Sequence, residues 1–92
     1  MNMVEEYLKK LGLSEKEIIL YLMVLKNGKI GVNLAARLTG INRTTVYSVA
    51  NELSDKGFVV IDLGSKPNML IATSPEQLMS LVDKQKNIIE KL

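Results

Sequence analysis

Residues 31–56 read GVNLAARLTGINRTTVYSVANELSDK, and this stretch decides the fold. Small apolar side chains recur at helical spacing over residues 31–39, which predicts a short helix. Gly40 follows, and glycine adopts without strain the positive φ that a sharp turn between two helices often needs. Asn42 can cap a second helix, which Gly57 can end. The stretch therefore predicts two helices joined by a tight turn.

The second of these helices, residues 42–56, divides into an apolar and a polar flank. Val46, Val49, Ala50 and Leu53 fall on one stripe at steps of three and four residues, so we expect them to face the core. In a helix-turn-helix, the opposite flank of the second helix enters the major groove of DNA. The candidate DNA-reading residues are Arg43, Thr44, Thr45, Tyr47, Ser48 and Asn51.

The chemistry of this polar flank suits duplex DNA. Arg43 can donate to a guanine edge through two bonds or neutralise a phosphate, whereas Thr44, Ser48 and Asn51 can hydrogen-bond bases or backbone. Tyr47 offers a ring and a hydroxyl. Among the side chains of this flank, it is the one whose predicted exposure is hardest to explain without a DNA contact. The alternative is an ordinary solvated helix face, on which such residue types are common.

Two further helices are predicted before this stretch. Residues 2–11 form a short amphipathic pattern that ends at Gly12, and Ser14 with Glu17 forms a capping box that starts a helix at Glu15. This helix runs to about residue 26 and is apolar on almost every side. We expect it to be central, covered partly by a partner or by the terminal helices, or else to form the core of a monomer.

The pattern changes to strands after Gly57. Residues 58–61 and 69–72 are short β-type runs with a turn-rich segment between them, which predicts a hairpin. Helices followed by a hairpin describe a mainly α fold with a small β-hairpin, a winged helix-turn-helix over residues 1–73. Ser74 and Pro75 then start a carboxy-terminal helix, residues 74–92.

Backbone contacts to DNA are expected from two places beside the reading helix. Residues 26–66 carry six basic against three acidic side chains, so the middle of the chain is its basic part. Free N–H groups at a helix start favour phosphate, and the tip of the hairpin can reach an adjacent groove. The candidates are Lys29, Gly31, Asn33, Ser65 and Lys66. For the lysines, plain solvated surface is the alternative.

The carboxy-terminal helix carries a heptad-like apolar stripe, which Gln85 interrupts. A stripe this long has little domain left to cover, so it predicts a homodimer seam, with packing onto its own domain as the alternative. The stripe consists of Leu78, Leu81, Val82, Ile88, Ile89 and Leu92.

Composition excludes several classes of function. The chain has no cysteine and no histidine, which removes the usual zinc ligands and most nucleophile and acid-base arrangements. We therefore expect no cofactor, no metal and no enzyme activity. The longest apolar run, residues 18–25, is far shorter than a membrane span, and the acidic amino terminus does not resemble a secretory signal. A cytoplasmic protein without membrane contact is expected.

Short motifs follow one another along nearly the whole chain: Leu11-Gly12-Leu13-Ser14, Glu17, Tyr21, Leu34-Ala35, Gly40-Ile41, Thr45-Val46-Tyr47, Leu53, Lys56-Gly57-Phe58, Lys66-Pro67 and Pro75-Glu76. In this order and spacing, they resemble the amino-terminal domain of TrmB-type transcriptional regulators. The resemblance implies a winged helix domain that dimerises and binds operator DNA. Larger members carry a sugar-binding effector domain, and we expect none in this chain.

The chain departs from that family in its second wing strand. Residues 68–71 read NMLI where the family is commonly basic and aromatic, so the resemblance does not extend to strong phosphate binding by the wing. Asn42 also replaces a frequent proline, which changes the cap of the reading helix. The apolar wing and modest net charge favour a rival function, a winged helix that binds other proteins without DNA affinity of its own.

Overall fold

A computed structural model of the protein describes residues 3–73. This part of the chain contains four helices and a three-stranded antiparallel sheet, which confirms the predicted winged helix fold. The elements are α1 (Met3–Lys10), α2 (Glu15–Asn27), β1 (Lys29–Gly31), α3 (Val32–Thr39), α4 (Arg43–Asp55), β2 (Val59–Asp62) and β3 (Met69–Ala72). The predicted carboxy-terminal helix and its apolar stripe lie outside the described residues.

Local signals set the helix boundaries. The capping box before α2 is present, since Ser14 Oγ accepts from the Glu17 N–H and Glu17 Oε1 accepts from the Ser14 N–H. Asn42 caps α4 by accepting from the N–H of Thr45 at 2.8 Å. Gly40 ends α3 with φ 76° and ψ 7°, the left-handed conformation that permits the tight turn.

The predicted two-stranded hairpin is incomplete, because the sheet has a third strand. β3 lies in the middle and pairs with β2 on one side and with β1 on the other, in the order β1-β3-β2. The predicted start of α3 at residue 31 was therefore wrong, since Gly31 closes β1 and stands at the N-cap position. A strand of three residues is too short to show a period in sequence, and its partner decides its conformation.

The core surrounds α2, as its apolar sequence predicts. Leu20, Tyr21 and Val24 are fully or almost fully buried, and α2 packs against each of the other helices and against the sheet. The ring of Phe58 meets that of Tyr21 edge-on, with 5.4 Å between centroids. Ile19 stays 44% exposed on the same helix.

No helix within residues 3–73 combines the length and the apolar character needed to cross a membrane.

Candidate nucleic-acid interface

The apolar flank of α4 holds this helix firmly in the domain. Val46, Ala50 and Leu53 are fully buried and Val49 is nearly so, which matches the predicted inward stripe. The helix packs on α2, α3 and β2. Because the whole stripe is covered, the rotation of α4 about its own axis is fixed, and so is the direction of its opposite flank.

The opposite flank of α4 presents the predicted reading residues to solvent. Arg43, Thr44, Ser48 and Asn51 are exposed, whereas Thr45 and Tyr47 are half-buried. The backbone N–H of Thr45 is occupied by the Asn42 cap. The structure thus brings all six predicted side chains together on one helix, with the exposed ones concentrated in its first half.

Arg43 and Tyr47 form a pair on this flank. The guanidinium carbon of Arg43 lies 5.3 Å from the centre of the Tyr47 ring, within cation–π range. Arg43 Nη2 also donates to Tyr47 Oη over 3.5 Å. Tyr47 Oη accepts a second and shorter bond, 2.9 Å, from the side-chain amide of Asn68. Asn68 stands outside the predicted contact set, and its only sequence signal is a polar residue before an apolar strand.

The start of α3 is more closely joined to the wing than its sequence suggests. The N–H of Val32 donates to the carbonyl of Asn68 at 3.0 Å, and Gly31 pairs with Met69 across the sheet. A Cβ at Gly31 would lie 3.4 Å from Cγ of Pro67. Asn33 is exposed in the first turn of α3. One of the N–H groups at this helix start is therefore already satisfied within the domain.

The wing tip has its own hydrogen-bonded turn. Asp62 accepts from the hydroxyl of Ser65 at 2.8 Å and from the N–H of Gly64 at 3.0 Å. The bond from Ser65 is the main reason that the pKa of Asp62 lies below its usual value, with smaller contributions that include the charge of Lys29. Ser65 is half-buried and already bonded, whereas Lys66 and Lys29 are exposed.

An ion pair fixes the far end of α4. Lys56, the C-cap residue, donates to both carboxylate oxygens of Glu17 at 2.9 and 3.0 Å and to the carbonyl of Gly12 at 3.2 Å. Glu17 is only 3% exposed. Burial alone would raise the pKa of Glu17, but the bonds from Lys56 and Ser14 outweigh it and lower the pKa. The sequence motifs include both residues without indicating that they meet.

A fixed helix with a free polar flank, a tight turn before it and a sheet beside it define a winged helix-turn-helix domain. Within residues 3–73, no three histidine, cysteine, aspartate or glutamate side chains cluster as metal ligands would. The family model described as the sugar-specific transcriptional regulator TrmB matches residues 8–76. The chain belongs to this family of transcriptional regulators.

Among characterised relatives, the chain is similar to the HTH-type sugar sensing transcriptional regulator TrmBL1 of Pyrococcus furiosus. The two are 30% identical over 92 residues, a match that covers 92% of this chain and 27% of the relative. The chain thus spans about a quarter of the length of that regulator.

Solved structures agree on the fold. TrmBL2, an archaeal chromatin protein, matches with a TM-score of 0.80 and 20% identity, covering 97% of this chain and 35% of that one. YusO from Bacillus subtilis matches with a TM-score of 0.68 and 18% identity, covering 94% of this chain and 64% of that one. A MarR family regulator from Silicibacter pomeroyi matches with a TM-score of 0.63 and 14% identity, covering 96% of this chain and 78% of that one.

Proposed function

We propose that the protein is a transcriptional regulator that binds double-stranded DNA sequence-specifically as a homodimer, with α4 in the major groove. The observation that carries this proposal is the division of α4 into a buried apolar flank and an exposed polar one. A helix anchored in this way can enter a groove without losing its contacts to the core. Membership of the TrmB family supports the same function.

In this proposal, side chains of α4 contact the bases. Arg43 is exposed and carries donors in a fixed fork, which suits the N7 and O6 acceptors of guanine. Ser48 and Asn51 follow on the same exposed flank and can bond bases or phosphates. Thr44 and Thr45 complete the set at the start of the helix.

Backbone contacts are proposed for the exposed cations and the helix start beside α4. Lys29 and Lys66 can neutralise phosphates, and Asn33 with Gly31 lies at the start of α3, where partial positive charge favours an anion. The hydroxyl of Ser65 is bonded to Asp62, so a phosphate would have to compete for it. These contacts position the domain and carry little sequence information.

The homodimer is proposed from the sequence of residues 74–92. Their apolar stripe suits a seam that joins two copies of the 1–73 domain. Two reading helices about 34 Å apart would meet successive turns of one face of the duplex, and a palindromic site would follow. A cytoplasmic location is consistent with this role.

Selection of bound fragments from random double-stranded DNA at physiological salt tests the proposal. We expect an enriched palindromic motif and, for a duplex that contains it, a dissociation constant at least about 10³-fold below that of scrambled DNA. No enriched motif, or equal affinity for both duplexes, would refute sequence-specific regulation.

A protein-interaction module is the second candidate, because the wing carries exposed apolar side chains. Leu63 is 71% exposed and Val60 57% exposed. Salt distinguishes the two functions: binding through phosphates weakens steeply as salt rises, whereas apolar protein contacts respond little. Negligible DNA affinity even at low salt would favour the module.

A further inference from the structure

Asn68 lies where the wing meets the helix-turn-helix. Its carbonyl accepts from the N–H of Val32, the first residue of α3, at 3.0 Å. Its side-chain amide donates to the hydroxyl of Tyr47 on α4 at 2.9 Å. It directly precedes Met69, the first residue of β3. One half-buried residue thus contacts both helices of the pair and directly precedes the central strand of the sheet.

We propose that Asn68 is a positioning residue for sequence readout: it fixes the hydroxyl of Tyr47 and thereby orients Arg43, so that wing and α4 recognise DNA as one unit. This inference rests on the proposed DNA-binding function and adds a wing residue that itself needs no contact with DNA.

The physical basis is preorganisation. An exposed arginine samples many rotamers, and ordering it on binding costs conformational entropy. Tyr47 offers a platform, because its ring is half-buried against the core while Arg43 lies over it. The Asn68 amide holds the outer end of that platform. A guanidinium already placed loses less freedom when it meets a base.

The hydrogen-bond directions also define which base edge this pair suits. Tyr47 Oη accepts from both Asn68 and Arg43, so its own hydrogen can donate outward. Arginine has donors only. The pair therefore presents donors, and guanine is the base whose major-groove edge offers two acceptors, N7 and O6, and no donor. We expect a guanine opposite Arg43 in each half-site.

The first test uses the chain of residues 1–92 without DNA. In NMR spectra, the Tyr47 ring should shift the Arg43 side-chain resonances, and Asn68→Ala should move them toward the values of an unordered arginine. Asn27→Ala is a matched control, because the Asn27 amide bonds back to Met23 of its own helix. Arg43 resonances that stay unchanged in Asn68→Ala would overturn the positioning role.

The second test measures dissociation constants for the selected duplex and for one with the guanine opposite Arg43 replaced by adenine. Asn68→Ala should weaken binding to the selected duplex about 3- to 10-fold and affect the other duplex little. In a Tyr47→Phe background, the same substitution should add almost nothing. Equal weakening on both duplexes, or additive effects of the two substitutions, would overturn the inference.

Failure of the proposed function has a different signature. A wild-type chain without sequence preference would refute sequence-specific regulation and the readout step together. The NMR comparison needs no DNA and would still decide whether Asn68 orients the pair. A cooperative thermal unfolding transition, with a midpoint above the temperature of the NMR and binding measurements, confirms that Asn68→Ala and Asn27→Ala are folded.

Discussion

Arg43 and Tyr47 lie one helical turn apart on α4, and the guanidinium carbon of Arg43 stands 5.3 Å from the centre of the Tyr47 ring. Arg43 is exposed, while Tyr47 is half-buried against the core. The buried part of the tyrosine thus supports an arginine at the edge of the domain. This pair is the most specific candidate for base readout.

Arg43→Ala should weaken binding to the selected duplex by about 1–3 kcal/mol, because a two-bond contact to a base edge is lost. Arg43→Lys keeps the charge but has neither the planar fork nor the same stacking. We expect Arg43→Lys to restore affinity for random DNA, while its discrimination between the selected duplex and random DNA stays low, as measured by fluorescence anisotropy. If wild type and Arg43→Ala discriminate equally between the selected duplex and random DNA, Arg43 does not contact a base.

Lys29→Gln and Lys66→Gln should each reduce the slope of log affinity against log salt by about one. Both side chains are exposed, and a phosphate contact releases roughly one counterion. Binding should weaken by similar factors on specific and random DNA. Lys16→Gln on α2 is the control, with no change of slope expected. A slope unchanged by Lys66→Gln would exclude that lysine from the phosphate contacts.

Lys56→Met should reduce the free energy of unfolding by about 1–3 kcal/mol, because it leaves the buried carboxylate of Glu17 without its cation. Part of the ion pair is screened, since the Lys56 side chain is 39% exposed. Urea unfolding at neutral pH measures the change. Lys26→Met removes an equal charge from an exposed site and should cost far less.

The same ion pair predicts a pH dependence of stability. Folding lowers the pKa of Glu17 from its ordinary 4.5, so its stabilising contribution is present above pH 4.5 and is lost as pH falls below that value. Unfolding free energies measured from neutral pH down to about pH 3 should fall less in Lys56→Met than in wild type. If the unfolding free energies of the two proteins fall in parallel with pH, the ion pair is not the source of this pH dependence.

Asn42→Ala should destabilise the domain by about 1 kcal/mol, because the N–H of Thr45 loses its side-chain acceptor at the start of α4. Asn42→Asp retains an acceptor oxygen and should stay close to wild type in urea unfolding. If alanine and aspartate unfold at the same midpoint, the cap contributes nothing to stability.

Light scattering should show a dimer at micromolar concentration. Leu81→Gln and Ile88→Gln should each shift the mass toward a monomer, because a polar side chain in an apolar seam weakens association. Lys86→Gln lies off the stripe and should leave the mass unchanged. A dimer that persists with both substitutions combined would show that this stripe does not form the dimer interface.

The helices of the domain could be predicted closely, because their signals are local. The capping box of Ser14 and Glu17, the cap at Asn42 and the glycine at position 40 act within a few residues of themselves. The two flanks of α4 also follow from spacing alone. The candidate reading face could therefore be assigned before any tertiary contact was known.

The sequence by itself determined where α2 and α4 begin, where α3 ends and which flank of α4 is polar, because caps, turns and helical period depend on neighbours a few residues away. Only the tertiary structure decided that Lys29–Gly31 forms a strand, that Lys56 neutralises Glu17 and that Asn68 holds Tyr47. These contacts join residues far apart in the chain. No local pattern selects such partners, since the packing of the whole core brings them together.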